Sequence, residues 1–384
     1  MALGDITFVE RDPSVIESQV IALQEKFLSV EGQTPVKFYP ADPRRLMSLG
    51  YIAMITLLRN DIDRTAKMNT LYYAVDEYLD LKGFDSGVTR LEASPATTTL
   101  RYELSAPQPQ AVIIPAGTRA TPDGNIYFAT TETVEIPAGE TSADVTAQCS
   151  VAGLSGNGWS PGQINQEVDR IVWVKSVTNI TASSGGADAE DDENYRTRIQ
   201  MAPESFSVAG PKGAYAYHAR SVHQGIIDVA VLGPEDSEGE HIIEPCNVEI
   251  YPLMTGGELP SQEILDAVLA ACDAEDVRPD TDYVHVLTPE TVAYDLNVTY
   301  WIDRNNATLA AAIQAAVEAA AEGWALWQRS KLGRDINPSE LTRRMVVAGA
   351  KRVEITSPTF SALMPWQLAT VASAAVAFGG LEDG

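Results

Sequence analysis

At Ala96 the hydrophobic period of this chain changes, and that change constrains the fold more than any single motif does. Before it, apolar residues recur at helical spacing. After it, short β-branched runs alternate at a period of two. One packing layer cannot serve both patterns, so a chain of 384 residues with this switch is expected to form several domains.

The helical part has two stretches. Residues 13–30 carry Val15, Val20, Leu23, Phe27 and Val30 as an approximate stripe, and a polar break with Gly32, Pro35, Pro40 and Pro43 follows. From Asp42 the pattern is helical again to about Lys82. Asp42 before Pro43 supplies an N-cap side chain and a Pro in the first turn, and Gly83 is read as the stop. Some forty residues of helix span roughly 60 Å, longer than a compact small domain needs. Ile55, Leu58, Ile62 and Ala66 share one face, while Tyr51 to Ile55 and Leu71 to Val75 are continuous apolar runs. Two readings stand: a large core within the chain, or a helix that packs against other chains. The second makes Ile55, Leu58, Ile62 and Ala66 candidate interface residues.

The runs TTTLRYELS, QAVIIPAGT, IYFATTETVEIPAG, SADVTAQCS and VDRIVWVKSVTNIT read as strands divided by turns. IPAG occurs twice, at Ile114–Gly117 and Ile136–Gly139, with Pro at the second turn position and Gly at a later one. GLSGNGWSPGQI (153–164) lacks the Lys-Ser/Thr ending of a phosphate cradle and is read as a structural loop. Further on, helices are expected near 187–203, from Gly210, at Ser261–Cys272 with Ser261 as N-cap, at 307–331, and at NPSELTRRMVVAG. The strands between them are IIDVAVLG, CNVEIYPLM, YVHVLTPE, VAYDLNVTYWI, KRVEITSP and ATVASAAVAF. That order suggests one or two small split-βαβ sandwiches.

Charge and composition narrow the function. The formal net charge of −26 repels phosphates, which argues against nucleic acid and anionic membrane as partners. Small basic clusters such as Arg343, Arg344, Lys351 and Arg352 suit contact with an acidic neighbour. No apolar run reaches the length of a membrane span, and the N-terminus has no secretory signal pattern. Cys149, Cys246 and Cys272 are far apart without a CxxC pair and read as buried thiols of a reducing compartment. His218 and His223 are spaced i, i+5, His241 falls in a loop and His285 in a strand. None has a metal-site setting.

The densest chemistry is GGADAEDDENYRTRI. Asp188, Glu190, Asp191, Asp192 and Glu193 do not follow an EF-hand loop. They fit a helix start, with Asp188 as N-cap, the other acids in the first turns, and Arg196 and Arg198 within pairing reach. A metal-dependent hydrolase built on this cluster lacks any partner His. No active site, cofactor or metal is expected.

Read in order, NTLYYAVDEYLDLKG with GVTRLEASPATTTLRYEL, VIIPAGTRATPDGNIYFAT, GLSGNGWSPGQI, VKSVTNITASSGGADAEDDENYRTRI and FSVAGPKGAYAYHARSV resemble the baseplate J-like proteins. So do RPDTDYVHVLTP and KLGRDINPSELTRRMVVAGAKRVEITSP. The resemblance covers about residues 8 to 378. It departs at Val75–Asp76, where relatives often carry a Gly, which bears on the local bend.

The resemblance implies a virion structural protein of the tail baseplate in a contractile phage or tail-like particle, assembled in the host cytoplasm. In that role, wedge subunits pair through N-terminal helices and link into a ring around hub and spike proteins. They contact a sheath-initiating protein and tail-fibre-bearing proteins, and help transmit the contraction trigger, with no nucleic acid bound and no membrane insertion. The fold expected is α+β multidomain. It has N-terminal helices (1–90), a β-rich domain (91–184), an α+β domain (185–288) and a C-terminal α+β domain (289–384). The alternative function is a receptor- or glycan-binding tail protein using Trp159, Trp173, Trp301, Trp324, Trp327 or Trp366, for most of which core or interface burial is favoured.

Overall fold

A computed structural model describes residues 4, 6–31, 33–207, 210–237, 239 and 241–383. Gly32 of the polar break therefore lies outside the described residues. The chain divides into two compact units, Met1–Thr89 and Arg90–Gly384.

The first unit holds α1 (Pro13–Leu28), α2 (Pro43–Met68) and α3 (Asp76–Asp85). The first two helices begin with the same device. Asp12 accepts from the Ser14 N–H and Asp42 from the Arg44 N–H, each with Pro at the first helical position where no N–H is missed. Polar pairs tie α1 to α2: Arg45 with Glu17 at 2.7 Å, and the Ser48 hydroxyl donating to Gln24 at 2.8 Å. Asp63, almost fully buried, accepts from the Phe8 N–H at 2.7 Å and pairs with Arg11 and Lys67.

The single helix expected from Asp42 to Lys82 is broken. α2 ends at Met68, and Asn69 to Val75 turn before α3 begins. Apolar spacing runs on through this break, but the backbone does not: Val75 is extended and Asp76 has φ +48°. That left-handed conformation favours Gly, and it falls at the position where the sequence departs from the family pattern. Gly83 is not the stop either. It is buried inside α3, which ends in a Schellman motif at Gly87 (φ +71°), with Gly87 N–H on Phe84 carbonyl and Val88 N–H on Gly83 carbonyl.

The second unit opens with eight strands. They are β1 (Pro95–Leu104), β2 (Val112–Ile114), β3 (Arg119–Thr121), β4 (Phe128–Thr130), β5 (Val134–Ile136), β6 (Ser142–Ala152), β7 (Gln166–Glu167) and β8 (Val174–Asn179). Six form a sheet in the order β7-β3-β4-β6-β1-β8 that curls nearly into a barrel. Inward residues at alternate positions (Leu100, Tyr102, Val145, Ala147, Phe128, Val177) fill it. β2 and β5 pair separately, Val112 opposite Ile136, so the two IPAG copies leave the two strands of one small sheet. Each turn is closed by an N–H on the Pro carbonyl, Thr118 to Pro115 and Glu140 to Pro137. Pro is therefore first in the turn, one position from expectation. Gly117 and Gly139 are third, where their φ of 83° and 90° suits a type II turn.

Two α+β modules follow. The first has α4 (Asp192–Met201), α5 (Lys212–Val222), β9 (Ile226–Leu232), β10 (Asn247–Met254), α6 (Gln262–Cys272) and β11 (Tyr283–Val286). β10 is central, antiparallel to β9 and parallel to β11, with α6 as the crossover. Ser261 caps α6 as expected, accepting from the Ile264 N–H. Residues 208 and 209 ahead of α5, and 238 and 240 in the loop GPEDSEGEH, lie outside the described residues. The second module has β12 (Glu290–Asp303), α7 (Ala310–Gln328), α8 (Pro338–Val347), β13 (Arg352–Ser357) and β14 (Gln367–Glu382). Here β12 is central, antiparallel to β13 and parallel to β14 along its whole length. Trp324 of α7 is fully buried against Tyr294 of β12. A shared cluster of Leu232, Tyr251 and Leu253 with Leu332, Trp366 and Leu368 joins the two modules.

Candidate functional site

The acidic segment resolves into a junction. The helix expected over 187–203 begins only at Asp192, and its cap is Asp191, not Asp188. The Asp191 carboxylate accepts from the Asn194 N–H at 2.8 Å. Asp188 instead accepts from the Leu154 N–H, because residues 184–187 are still paired to the start of β1 and its approach. Glu190, 3% exposed, accepts from the Leu91 N–H and meets Arg198 at 2.5 Å. Burial raises the Glu190 pKa, against the opposing pull of these partners. Arg196 pairs with Glu193 one turn back, as the spacing predicts. Arg90 bridges the Glu190 carbonyl and the Asp192 carboxylate and lies over the Tyr195 ring.

The loop 153–164 is held just as firmly. Asn157 exchanges two hydrogen bonds with the Gly186 backbone, and the Ser183 hydroxyl donates to the Gly156 carbonyl. Asn179 accepts from the Ile164 N–H and donates to Ser160 and Thr181 carbonyls. A Cβ on Gly186 would stand 2.5 Å from the Gly153 carbonyl oxygen, so this Gly serves close backbone approach, whereas Gly185 serves its left-handed φ of 82°. The residues that look most like a site are a joint.

Other reactive side chains are similarly engaged. His241 lies 2.8 Å from Glu249 and stacks on Trp366, and His285 lies 2.9 Å from Asn247. Burial lowers the pKa of both His218 and His223. Cys149 and Cys272 are buried, and burial pushes the Cys272 thiol up to about 12. Cys246 is exposed, contrary to expectation, and sits at φ +67° in the turn leading into β10. Arg343 and Arg344 both pair with Glu340, and Arg352 pairs with Glu382, so the basic cluster is largely answered within the chain. Of the tryptophans, only Trp173 is exposed; it is held at φ +74°. Among the described residues no group of three His, Cys, Asp or Glu side chains could hold a metal, and no helix is long and apolar enough to cross a membrane.

What remains open is an apolar surface on the first unit. More than half of the exposed large apolar and aromatic side chains among the described residues precede residue 90. At about 100° per residue, Ser48, Ile52 and Asp63 of α2 fall on its packed side, and these are its buried residues. Met47, Tyr51, Met54, Leu58 and Ile62 form a stripe away from it, all exposed. Of the predicted residues, Leu58 (58% exposed) and Ile62 (52%) belong to that stripe, whereas Ile55 and Ala66 are half-buried at its edge. The sequence reading missed Met47 and Met54, which stand i+4 before Tyr51 and Leu58 and i+7 from each other, and that spacing was the available signal.

Fold and surface together define a class: a chain whose N-terminal helices leave an apolar face uncovered and whose later residues form packed β and α+β modules. The chain belongs to the Baseplate J-like family. Its models match in chain order: the barrel domain at residues 99–186, the central domain at 207–288 and the C-terminal domain at 294–377. Baseplate protein J of Escherichia phage P2 is 35% identical over 170 residues, which is 44% of this chain and 52% of that protein. The match thus spans about half the length of that relative. The cryo-EM structure of the anti-feeding prophage baseplate, 6-fold symmetrised, contains a chain similar at 10% identity and TM-score 0.46, covering 96% of this chain and 100% of that one.

Proposed function

We propose that this chain is a structural subunit of the baseplate of a contractile phage tail or tail-like injection particle, acting by contact and not by catalysis. In this reading it is a wedge component. Copies join through the α2 surface and link into a ring around hub and spike proteins. Sheath-initiating and fibre-bearing proteins dock on its other modules, and the ring helps pass the contraction trigger to the sheath. Assembly takes place in the host cytoplasm and uses neither nucleic acid nor membrane insertion.

The observation that carries the reading is the uncovered stripe of α2, in a chain of a baseplate family. Met47, Tyr51, Met54, Leu58 and Ile62 cost free energy in water that a neighbouring helix removes, about 25 cal/mol per Å² covered. The high negative charge keeps such a chain soluble before assembly.

The test replaces Ile55, Leu58 and Ile62 together with Gln in the producing strain. Electron microscopy of lysates should show no completed baseplates, while the purified variant keeps its circular dichroism spectrum. Normal particle numbers would sink the proposal. The alternative, a glycan-binding tail protein, rests on Trp173 alone and predicts binding on a glycan array that Trp173→Ala removes.

A further inference from the structure

A cleft of about 790 Å³ opens where the barrel meets the first α+β module. Its size lies within the range of about 300–1,000 Å³ typical of ligand pockets. The lining is divided by chemistry. Met254, Ile264, Leu154 and Leu259 supply apolar surface, and the last two are exposed in it. Asp188, Asp191 and Glu258 supply carboxylates, and the lining includes no Lys or Arg. The lining His223 has its pKa lowered by burial, so it adds no positive charge at neutral pH. Glu190 also lines the cleft but is committed to Arg198 and the Leu91 N–H.

The walls are preformed. Gly186 and Asn157 lock one side to the barrel, and the Thr255 N–H on the Gly225 carbonyl (2.7 Å) fixes the other. The Glu258 side chain has no hydrogen bond or ion pair among the described residues, although it sits in the run that leads into α6.

We infer that this cleft receives a cationic, apolar-tipped segment of a different polypeptide. A Lys or Arg would meet the carboxylates of Asp188, Asp191 and Glu258, and an apolar side chain would sit among Leu154, Leu259 and Met254. Charge decides between occupants. A phosphate-bearing ligand would meet the carboxylates of Asp188, Asp191 and Glu258 with no Lys or Arg among the described lining residues to offset them. A second copy brings a net charge of −26 and a basic segment already paired to Glu340 and Glu382. A bare metal ion leaves the apolar floor unused and finds no three-ligand group. The inference rests on the cleft and stands whether or not the assembly reading holds.

The test uses the full chain and a fluorescein-labelled synthetic peptide with Arg flanking a Leu pair, read by anisotropy at physiological salt. Glu258→Lys should weaken binding about tenfold or more, since it reverses a charge at the contact. Reversing Glu132 and Glu135, which are exposed and outside the cleft lining, should change binding less than about twofold, which separates the site from general attraction to an acidic protein. A peptide with Ser in place of Leu should also bind about tenfold more weakly. Equal binding by Glu258→Lys, equal loss in the Glu132/Glu135 control, or equal binding of the Ser peptide would each overturn the inference. So would self-association of the chain that Glu258→Lys abolishes while the peptide fails to bind, because the occupant would then be a second copy.

Discussion

The first unit and the C-terminal module carry similar amounts of apolar sequence but use it in opposite ways. In the C-terminal module, Trp324, Leu296, Val298, Tyr300, Leu341 and Met345 are buried in one cluster between a sheet and two helices. In the first unit, α2 buries Ile52 and leaves Met47, Tyr51, Met54, Leu58 and Ile62 in solvent. A sheet presents one broad face that two helices can cover. Two or three helices cover only part of one another, and the remaining faces stay exposed. The difference teaches that a hydrophobic stripe in sequence marks burial without saying by whom.

That contrast can be broken from either side. The largest effect is expected for Trp324→Ala, which should cost about 3–5 kcal/mol in chemical denaturation, with no offset from the first unit. Arg198→Met should come close behind, at about 3–5 kcal/mol, because it leaves the buried Glu190 carboxylate without its ion-pair partner.

The pH dependence separates two glutamates. Burial raises the Glu190 pKa, so its unfavourable contribution grows as pH rises from about 4.5 through its folded value and is relieved on acidification. Arg343 and Arg344 hold Glu340 down to about 2, so its contribution is present above pH 4.5 and lost as pH falls toward 2. Stability measured against pH should therefore flatten at the acid end in Glu340→Gln. An unchanged acid limb would remove Glu340 from that account. The smallest effect is expected for Met54→Gln with Leu58→Gln, within about 0.5 kcal/mol for the isolated chain. A loss of several kcal/mol would mean that the α2 stripe is core after all.

How much of this was legible follows from the range of each interaction. Caps at Asp42 and Ser261 were readable because a cap is settled within three residues. Asp191 was missed in favour of Asp188 because five acids in six positions offer several equal caps, and the choice depends on a distant strand still holding residues 184–187. The break after Met68 was invisible to apolar spacing, which continues through Leu71 to Val75, although the family departure at Val75–Asp76 marked the bend. That Leu58 and Ile62 share one face was readable from period, but not that the face is exposed, because a core within the chain fitted the same spacing. That Ile55 and Ala66 lean toward the packed side required the position of α1. Pairings such as Arg198 with Glu190, or β12 with β14 across more than sixty residues, have no local signal.

The pairing of β12 with β14 also has a mechanical side. The strands run parallel from Glu290 beside Gln367 to Asp303 beside Glu382. The start of β12 and the end of β14 therefore lie at opposite ends of one ladder. Tension between those two points loads the ladder in shear, so its hydrogen bonds share the force instead of opening one by one like a zip. β14 thus braces the C-terminal module against a pull along the length of that ladder.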